Sequence, residues 1–162
     1  MVSEWSSGLP ETVCGKGSKI SETKVIRKWL PEVVRSFRIE SIADVGCGDQ
    51  NWIRQTNLHG AVYVGFDIEH TPEKFDVLRD VLPEAFDLVL CIYVLNHLYN
   101  PGDLERALRN LRKSGSRYLL ATYDDVEGFS LPLIAQTFHK IKGSGGVKRS
   151  WHYGLFNLQG SY

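Results

Sequence analysis

Two aspartates end apolar runs that are predicted to be neighbouring strands of one sheet. Asp44 ends the run SIAD and precedes Gly46 and Gly48, and Asp67 ends the run VYVGFD. The glycines leave the backbone bare, so that a ligand can lie against the turn. A carboxylate about 20 residues further on, at the tip of the next strand, is suited to accept hydrogen bonds from both hydroxyls of a ribose. The spacing therefore predicts a site for a ribose-bearing ligand.

The glycine turn also has alternatives that its own residues leave open. The GxG pattern alone is a weak signal, and it also occurs in structural turns between a strand and a helix. The GxGxxG pattern of dinucleotide-binding proteins is absent, because Asn51 occupies the third glycine position. Asp44 beside the turn disfavours a phosphate and favours a cationic or amino-bearing ligand. A dehydrogenase with a nucleotide cofactor is therefore a less favoured interpretation.

A histidine ends the long apolar run FDLVLCIYVLNHL, at the mouth of the predicted fourth strand. A neutral imidazole at His97 could remove a proton from a hydroxyl during a transfer reaction, whereas local packing or capping is the alternative. Asn96 and Tyr93 lie close to it in the sequence and are further candidates for catalysis. Cys91 lies in the apolar strand without a Pro-Cys pair, which favours a buried side chain that packs as a small hydrophobic residue.

Composition and charge describe an ordinary globular domain. The 162 residues are about the size of one domain, and 19 lysines and arginines balance 19 aspartates and glutamates. The chain therefore has no net charge that would attract it as a whole to nucleic acid or membranes. Three widely spaced cysteines without a CxxC pair argue against a disulfide framework and a structural zinc site. We therefore expect a single domain over residues 1–162, in the cytoplasm, without a metal or a membrane segment.

The elements that position these residues alternate along the chain. Helices are predicted from Ser21 to Phe37 with a kink at Pro31, from the CGDQNW turn to about residue 57, over residues 103–113 between an Asp103 cap and a stop at Gly115, and within SLPLIAQTFHKI. Strands are predicted within SIADVG, AVYVGFDI, KFDVL, FDLVLCIYVL, RYLLATY and SWHYGLFNL. Strands that are apolar on both faces form mostly parallel sheets between helices, and ligands bind beyond their carboxyl ends.

Together these motifs resemble the class I S-adenosylmethionine-dependent methyltransferases. The glycine-rich first motif of that family is matched by DVGCG, its acidic second-strand tip by Asp67, its third motif by Asp76-Val77 before Leu82-Pro83, and its fourth strand by FDLVLCIYVLNHL. The resemblance implies an α/β fold, namely a three-layer αβα Rossmann-like methyltransferase domain with S-adenosyl-L-methionine as cofactor. The chain looks closest to a bacterial and phage subgroup with a CGxGS segment and a CGDxxW turn, here CGKGS and CGDQNW.

The resemblance also assigns roles to individual residues. The two glycines would approach the methionine and ribose parts of the cofactor, Asp44 would lie near its amino group, and Asp67 would hold the ribose. Asp76 would pair with the adenine amino group, with the Val77 amide on the ring. The candidates for cofactor binding are Asp44, Val45, Gly46, Cys47, Gly48, Asp67, Ile68, Asp76, Val77 and Cys91, and the candidates for catalysis are His97, Asn96 and Tyr93.

The chain departs from the family pattern at two places. Only eight residues separate Asp67 from Asp76, so the helix that family members place there is predicted to be missing. The adenine side of the cofactor pocket is therefore expected to be more open. The C-terminus is abbreviated, so the last strand or strands are expected to be missing or rebuilt. These departures motivate an alternative, a non-catalytic protein that binds S-adenosylmethionine or S-adenosylhomocysteine.

The acceptor of the methyl group is not identified by any motif. No (D/N/S)PPY motif follows the fourth strand, which disfavours base amino groups and favours a hydroxyl or another nucleophile. Basic residues of the segment 139–149 surround a glycine loop and could contact a phosphate-bearing small molecule or nucleic acid, a solvated loop being the alternative. Residues 1–20 are predicted to be an arm or lid, with Ser18 and Thr23 reaching inward. A monomer or a homodimer is expected.

Overall fold

The computed structural model describes residues 10–124, 131–140 and 150–160. Within these residues, six strands form one mixed sheet: β1 Ser41–Val45, β2 Val62–Phe66, β3 Leu88–Cys91, β4 Tyr118–Asp124, β5 Leu133–Lys140 and β6 Ser150–Asn157. The strand order is β2-β1-β3-β4-β6-β5. The first four strands of this order are parallel, and β6 is antiparallel to both of its neighbours. The predicted, mostly parallel sheet is confirmed.

Two helices cover the two faces of the sheet. Helix α1 spans Lys24–Ser36 and packs with Ile42, Leu88 and Leu90 in one hydrophobic cluster. Helix α2 spans Pro101–Lys113 and packs with the alternate strand residues, among them Val89, in a second cluster. Because successive side chains of a strand point to opposite faces, the two clusters lie on opposite sides. The predicted three-layer αβα Rossmann-like fold is confirmed.

Helix α1 differs in detail from its prediction. Thr23 rather than Ser21 precedes its first turn, and the helix runs without interruption through Pro31. Helix α2 likewise begins before the predicted Asp103 cap, because the side chain of Asn100 accepts a hydrogen bond from the amide of Gly102.

Two of the predicted elements do not form. The CGDQNW segment opens no α-helix, since it continues only into the 3₁₀ turn Ile53–Gln55, and Gln50 has a φ of 59° that interrupts helical geometry. The KFDVL segment is not a strand, because it meets the sheet only through one bridge between Asp67 and Lys74. The missing helix between β2 and β3 is confirmed, as residues 67–87 contain none.

The C-terminal part of the chain still contributes two strands. The segment predicted as a helix, SLPLIAQTFHKI, supplies β5, and the final predicted strand is β6. Strand β5 forms because β6 offers it an antiparallel partner, which periodicity within the segment cannot reveal. The glycine loop of the predicted basic segment, residues 141–149, lies outside the described residues.

Candidate active site

A cleft of about 760 Å³ opens at the carboxyl ends of the parallel strands β1, β2 and β3. Its described lining residues are Cys14, Lys16, Gly17, Ser18, Glu22, Gly46, Gly48, Asp67, Ile68, Glu69, His70, Ile92, Tyr93, Val94 and His97. The volume is typical of small-molecule sites, which measure roughly 300–1,000 Å³. The cleft therefore lies where parallel α/β sheets bind their ligands.

The glycine turn is tied to the end of β2 and is closely packed. The amides of Gly46 and Cys47 both donate to the carbonyl oxygen of Phe66, at 2.7 and 3.2 Å. Gly46 and Gly48 have φ angles of 78° and 55°, which favour glycine. A Cβ atom at Gly46 would collide with Val94, and one at Gly48 would lie 2.7 Å from the Cys14 sulfur. The absence of side chains at the two glycines thus leaves space for Val94 and Cys14, which both line the cleft.

Asp67 presents an ionised carboxylate to the cleft. Its Oδ2 atom accepts the amide hydrogen of Gly48 at 2.9 Å, and Oδ1 accepts those of Glu69 and His70 at 2.9 and 3.2 Å. Burial alone would raise the pKa of Asp67, but these three amides lower it below its usual value. Ile68, 62% exposed, offers an apolar surface beside it. This edge of the cleft combines an anionic acceptor with an apolar wall.

Asp44 lies in a different environment, behind the glycine turn. Its side chain is 2% exposed and accepts the Tyr63 hydroxyl at 2.7 Å. Burial raises the pKa of Asp44 to about 7, partly offset by that hydrogen bond, and the nearby Asp67 adds to the rise. Asp44 is absent from the cleft lining. Its contact with a cofactor amino group stays a prediction.

Tyr93 contributes its ring rather than its hydroxyl to the cleft. The ring lies against Gly17, where a Cβ atom would come within 3.1 Å. The hydroxyl is bonded at 2.9 Å to the hydroxyl of the buried Tyr153, and burial raises the pKa of Tyr93 to about 12. Tyr93 therefore stays neutral at physiological pH.

His97 ends the 3₁₀ turn Leu95–His97, is exposed and lines the cleft. Asn96 precedes it, and both polar atoms of its amide are buried without a hydrogen-bond partner. Such a group costs about 1–3 kcal/mol and is unusual in native proteins. The turn after β3 thus carries one accessible histidine and one unsatisfied amide.

The structure brings only part of the predicted set together. Gly46, Gly48, Asp67, Ile68, Tyr93 and His97 line the cleft, whereas Asp44, Val45, Cys47, Asp76, Val77, Cys91 and Asn96 are outside its lining. Asp76 pairs with Arg79 and accepts the amide of Leu78. Val77 belongs to the core, and its carbonyl oxygen accepts the side-chain amide of Asn110. The adenine roles of Asp76 and Val77 therefore stay predictions.

The N-terminal arm supplies cleft residues that were predicted only as a motif. Four residues of CGKGS line the cleft, and Ser18 is among them as predicted. Thr23 does not reach the cleft, because it is fully buried and its hydroxyl donates to the carbonyl oxygen of Lys19. Glu69 and His70 were missed, since they lie in a turn that no apolar pattern marks.

Two kinds of site are not found in the part of the chain that the structure describes. No group of three or more His, Cys, Asp or Glu side chains there could hold a metal ion. None of its helices combines the length and the apolar character needed to cross a membrane.

Curated relatives of the chain are methyltransferases. A ubiquinone biosynthesis O-methyltransferase of Pseudomonas putida strain W619 is 26% identical in an alignment over 130 residues, and the match covers 68% of this chain and 56% of the relative. The corresponding protein of Pseudomonas putida strain F1 is 26% identical in an alignment over 113 residues, and the match covers 58% of this chain and 48% of the relative. The chain spans about half the length of the curated relatives it matches.

Solved structures share the fold. The N-methyltransferase NodS from Bradyrhizobium japonicum WM9 superposes with a TM-score of 0.62 at 13% identity, covering 86% of this chain and 98% of NodS. The magnesium protoporphyrin IX methyltransferase ChlM from Synechocystis PCC 6803, solved with bound SAH, gives a TM-score of 0.63 at 13% identity, covering 87% and 85%. A family model described as a methyltransferase domain matches residues 21–160. The chain therefore belongs to the methyltransferase domain family.

Proposed function

We propose that the chain transfers the methyl group of S-adenosylmethionine to a hydroxyl or related nucleophile of an acceptor bound near His97. Membership of the methyltransferase domain family implies this cofactor. The observation that carries the proposal is that one cleft is lined by both Asp67 and His97. The O-methyltransferase relatives support a hydroxyl acceptor.

The described residues fit the cofactor. The Asp67 carboxylate, held ionised by three amides, suits the two ribose hydroxyls. Ile68 offers its exposed apolar side chain to the adenine, in place of the wall that the missing helix would form. Asp44 would meet the cofactor amino group if the turn over it shifts, and a cation there would favour its ionised form.

With S-adenosylmethionine bound, the transfer would be an in-line displacement, in which the acceptor oxygen would bond to the methyl carbon as the carbon–sulfur bond breaks. When bound, S-adenosylmethionine supplies an activated methyl group on a positively charged sulfur. The chain contributes mainly by positioning the acceptor oxygen against that carbon. His97, in its neutral form, accepts the proton that the hydroxyl releases. Tyr93 and Val94 also line the cleft.

Titration calorimetry with S-adenosylmethionine, S-adenosylhomocysteine and NAD tests the cofactor. We expect both sulfur ligands to bind and NAD not to bind. Binding of NAD alone would contradict the proposal and favour a dehydrogenase. Radiolabelled S-adenosylmethionine with cell extract then tests for transfer, and binding without any transfer would favour the non-catalytic alternative.

Substitution of the cleft histidine tests the proton acceptor. We expect His97→Gln to lower kcat about a hundredfold at neutral pH, within the usual range for general-base catalysis, with little change in affinity for S-adenosylhomocysteine. His59→Gln, at an exposed position outside the cleft lining, is the matched control and should retain activity. An unchanged kcat in His97→Gln would remove the assigned role.

A further inference from the structure

Within the N-terminal arm, residues 11–18 are fastened to the glycine turn through the carboxylate of Asp49. Oδ2 of Asp49 accepts the hydroxyl of Thr12 at 2.6 Å and the amide of Val13 at 2.9 Å, while Oδ1 accepts the amide of Asn51 at 3.2 Å. Burial alone would raise the pKa of Asp49, but these hydrogen bonds lower it. The bonds to the arm are therefore made by an anion, which strengthens them.

A second contact joins the same two segments. The side-chain amide of Asn51 donates to Glu11 Oε1 and to the carbonyl oxygen of Ser18, both at 2.9 Å. The Glu11 carboxylate also accepts the amide of Ile20 at 2.7 Å. Asn51 thus holds both ends of the arm, on either side of the segment that Asp49 fixes.

The arm also fits the turn sterically. The sulfur of Cys14 accepts the amide of Asp49 at 3.1 Å, and it occupies the space that a side chain at position 48 would need. Gly48 at the same time donates its own amide to Asp67. One short turn therefore holds the arm on one side and the predicted ribose-binding carboxylate on the other.

The fastened arm forms a wall of the cleft. Cys14, Lys16, Gly17 and Ser18 line it, together with residues that follow β2 and β3. Asp49 and Asn51 are themselves absent from the lining. They can therefore influence a ligand only through the arm and the turn.

We propose that Asp49 and Asn51 are positioning residues that latch the N-terminal arm as a removable wall of the cofactor cleft. The latch controls how fast the cofactor leaves, although neither residue contacts it. This inference rests on the proposed function only for the identity of the ligand.

The variant Asp49→Asn tests the latch with the least change in shape. The amide keeps one acceptor oxygen but loses the negative charge, so the bonds from Thr12 and Val13 weaken even where that oxygen faces the arm, and its NH₂ group then faces the Asn51 amide. We expect S-adenosylhomocysteine to dissociate at least tenfold faster in stopped-flow experiments. Asp87→Asn is the matched control, because Asp87 likewise accepts two backbone amides, of Glu40 and Ser41, away from the cleft. Its dissociation rate should match that of the unmodified protein.

A ligand-free measurement separates the latch from the proposed function. Cys14 is partly accessible, whereas Cys47 and Cys91 are 7% and 0% exposed, so N-ethylmaleimide should react first at Cys14. We expect Asp49→Asn to react at least tenfold faster than Asp87→Asn after each rate is divided by the thiolate fraction from its pH–rate profile. This division is needed because burial raises the pKa of Cys14 and the charge of Asp49 adds to the rise. Equal rates would overturn the latch, whatever ligand the cleft binds. Faster reaction without any binding of S-adenosylhomocysteine would support the latch and contradict the proposed function.

The variant Thr12→Val provides an independent check, since it removes one donor to Asp49 from the arm side. It should raise the reactivity of Cys14 as well. The rate increase in the double variant Thr12→Val/Asp49→Asn should be smaller than the product of the two single rate increases. Fully multiplicative effects would show that the two residues act separately and would overturn the latch.

Discussion

Asp44 lies near the end of β1 and Asp67 directly follows the neighbouring parallel strand β2, yet the fold shifts their pKa values in opposite directions. Burial raises the pKa of Asp44 to about 7, and its hydroxyl donor Tyr63 offsets this only in part. Burial acts on Asp67 too, but three turn amides outweigh it and lower the pKa. The charge of a carboxylate at a strand end is therefore decided by how the following turn aims its amides.

The difference suits the two distinct roles proposed for these carboxylates toward the cofactor. A permanently ionised Asp67 can accept hydrogen bonds from ribose hydroxyls at any physiological pH. Asp44 is partly protonated near neutral pH, so its ionisation can respond to a cation placed beside it.

The largest expected effect is on stability, in Asp44→Asn. The folded-state pKa of about 7 lies above the ordinary value of 3.8. The contribution of protonated Asp44 to the free energy of unfolding is therefore fully present below about pH 4 and is lost as the pH rises through 7. The loss amounts to up to about 4 kcal/mol, at 1.36 kcal/mol per pKa unit. The neutral amide should avoid this loss, so urea unfolding at pH 8 should show a more stable variant.

The companion variant Asp67→Asn should change stability in the opposite direction. Because its pKa is lowered in the folded state, Asp67 contributes stability above its unfolded pKa that is lost as the pH falls. Asp67→Asn should therefore be less stable than the unmodified protein at pH 8. If urea unfolding shows that both variants change stability in the same direction, the proposed contrast between the two carboxylates is contradicted.

The next effect is on affinity, in Asp67→Ala. Loss of the carboxylate should weaken S-adenosylhomocysteine more than tenfold, or about 1.4 kcal/mol, in titration calorimetry. Asp87→Ala is the control, because it also leaves backbone amides unpaired but lies away from the cleft. An affinity that is unchanged in Asp67→Ala would refute the assigned role.

The smallest effect is expected from Tyr63→Phe. The change removes the hydroxyl that donates to Asp44, and a lost hydrogen bond of this kind costs about 1 kcal/mol. The pKa of Asp44 should rise further, so the pH at which stability levels off should move upward in urea unfolding. Tyr118→Phe, whose hydroxyl meets only the exposed Arg117 among the described contacts, should leave that pH in place.

The fold was largely predictable because its strands carry strong local signals. The β1, β2 and β3 runs are apolar and end at polar or glycine residues, so these strands and the position of the cleft at their carboxyl ends were predicted. Strand β5 was predicted as a helix, since its identity depends on pairing with β6. The prediction of a helix after the glycine turn was wrong because Gln50 adopts a positive φ.

The candidate site was predictable only where it lies in motifs. Asp67 and His97 line the cleft as placed from the sequence. The contact of Asp49 with Thr12 joins residues 37 positions apart, and no local pattern encodes it. The distance of Asp76 from the cleft likewise depends on a crossover whose path the sequence does not specify.

A crystal structure of the complex with S-adenosylhomocysteine would show how the cleft holds its ligand. We expect both ribose hydroxyls to lie within hydrogen-bond distance of the Asp67 carboxylate, with the sulfur facing His97 and the arm closed over the ligand. A ligand bound outside this cleft, or a ribose held away from Asp67, would contradict this expectation.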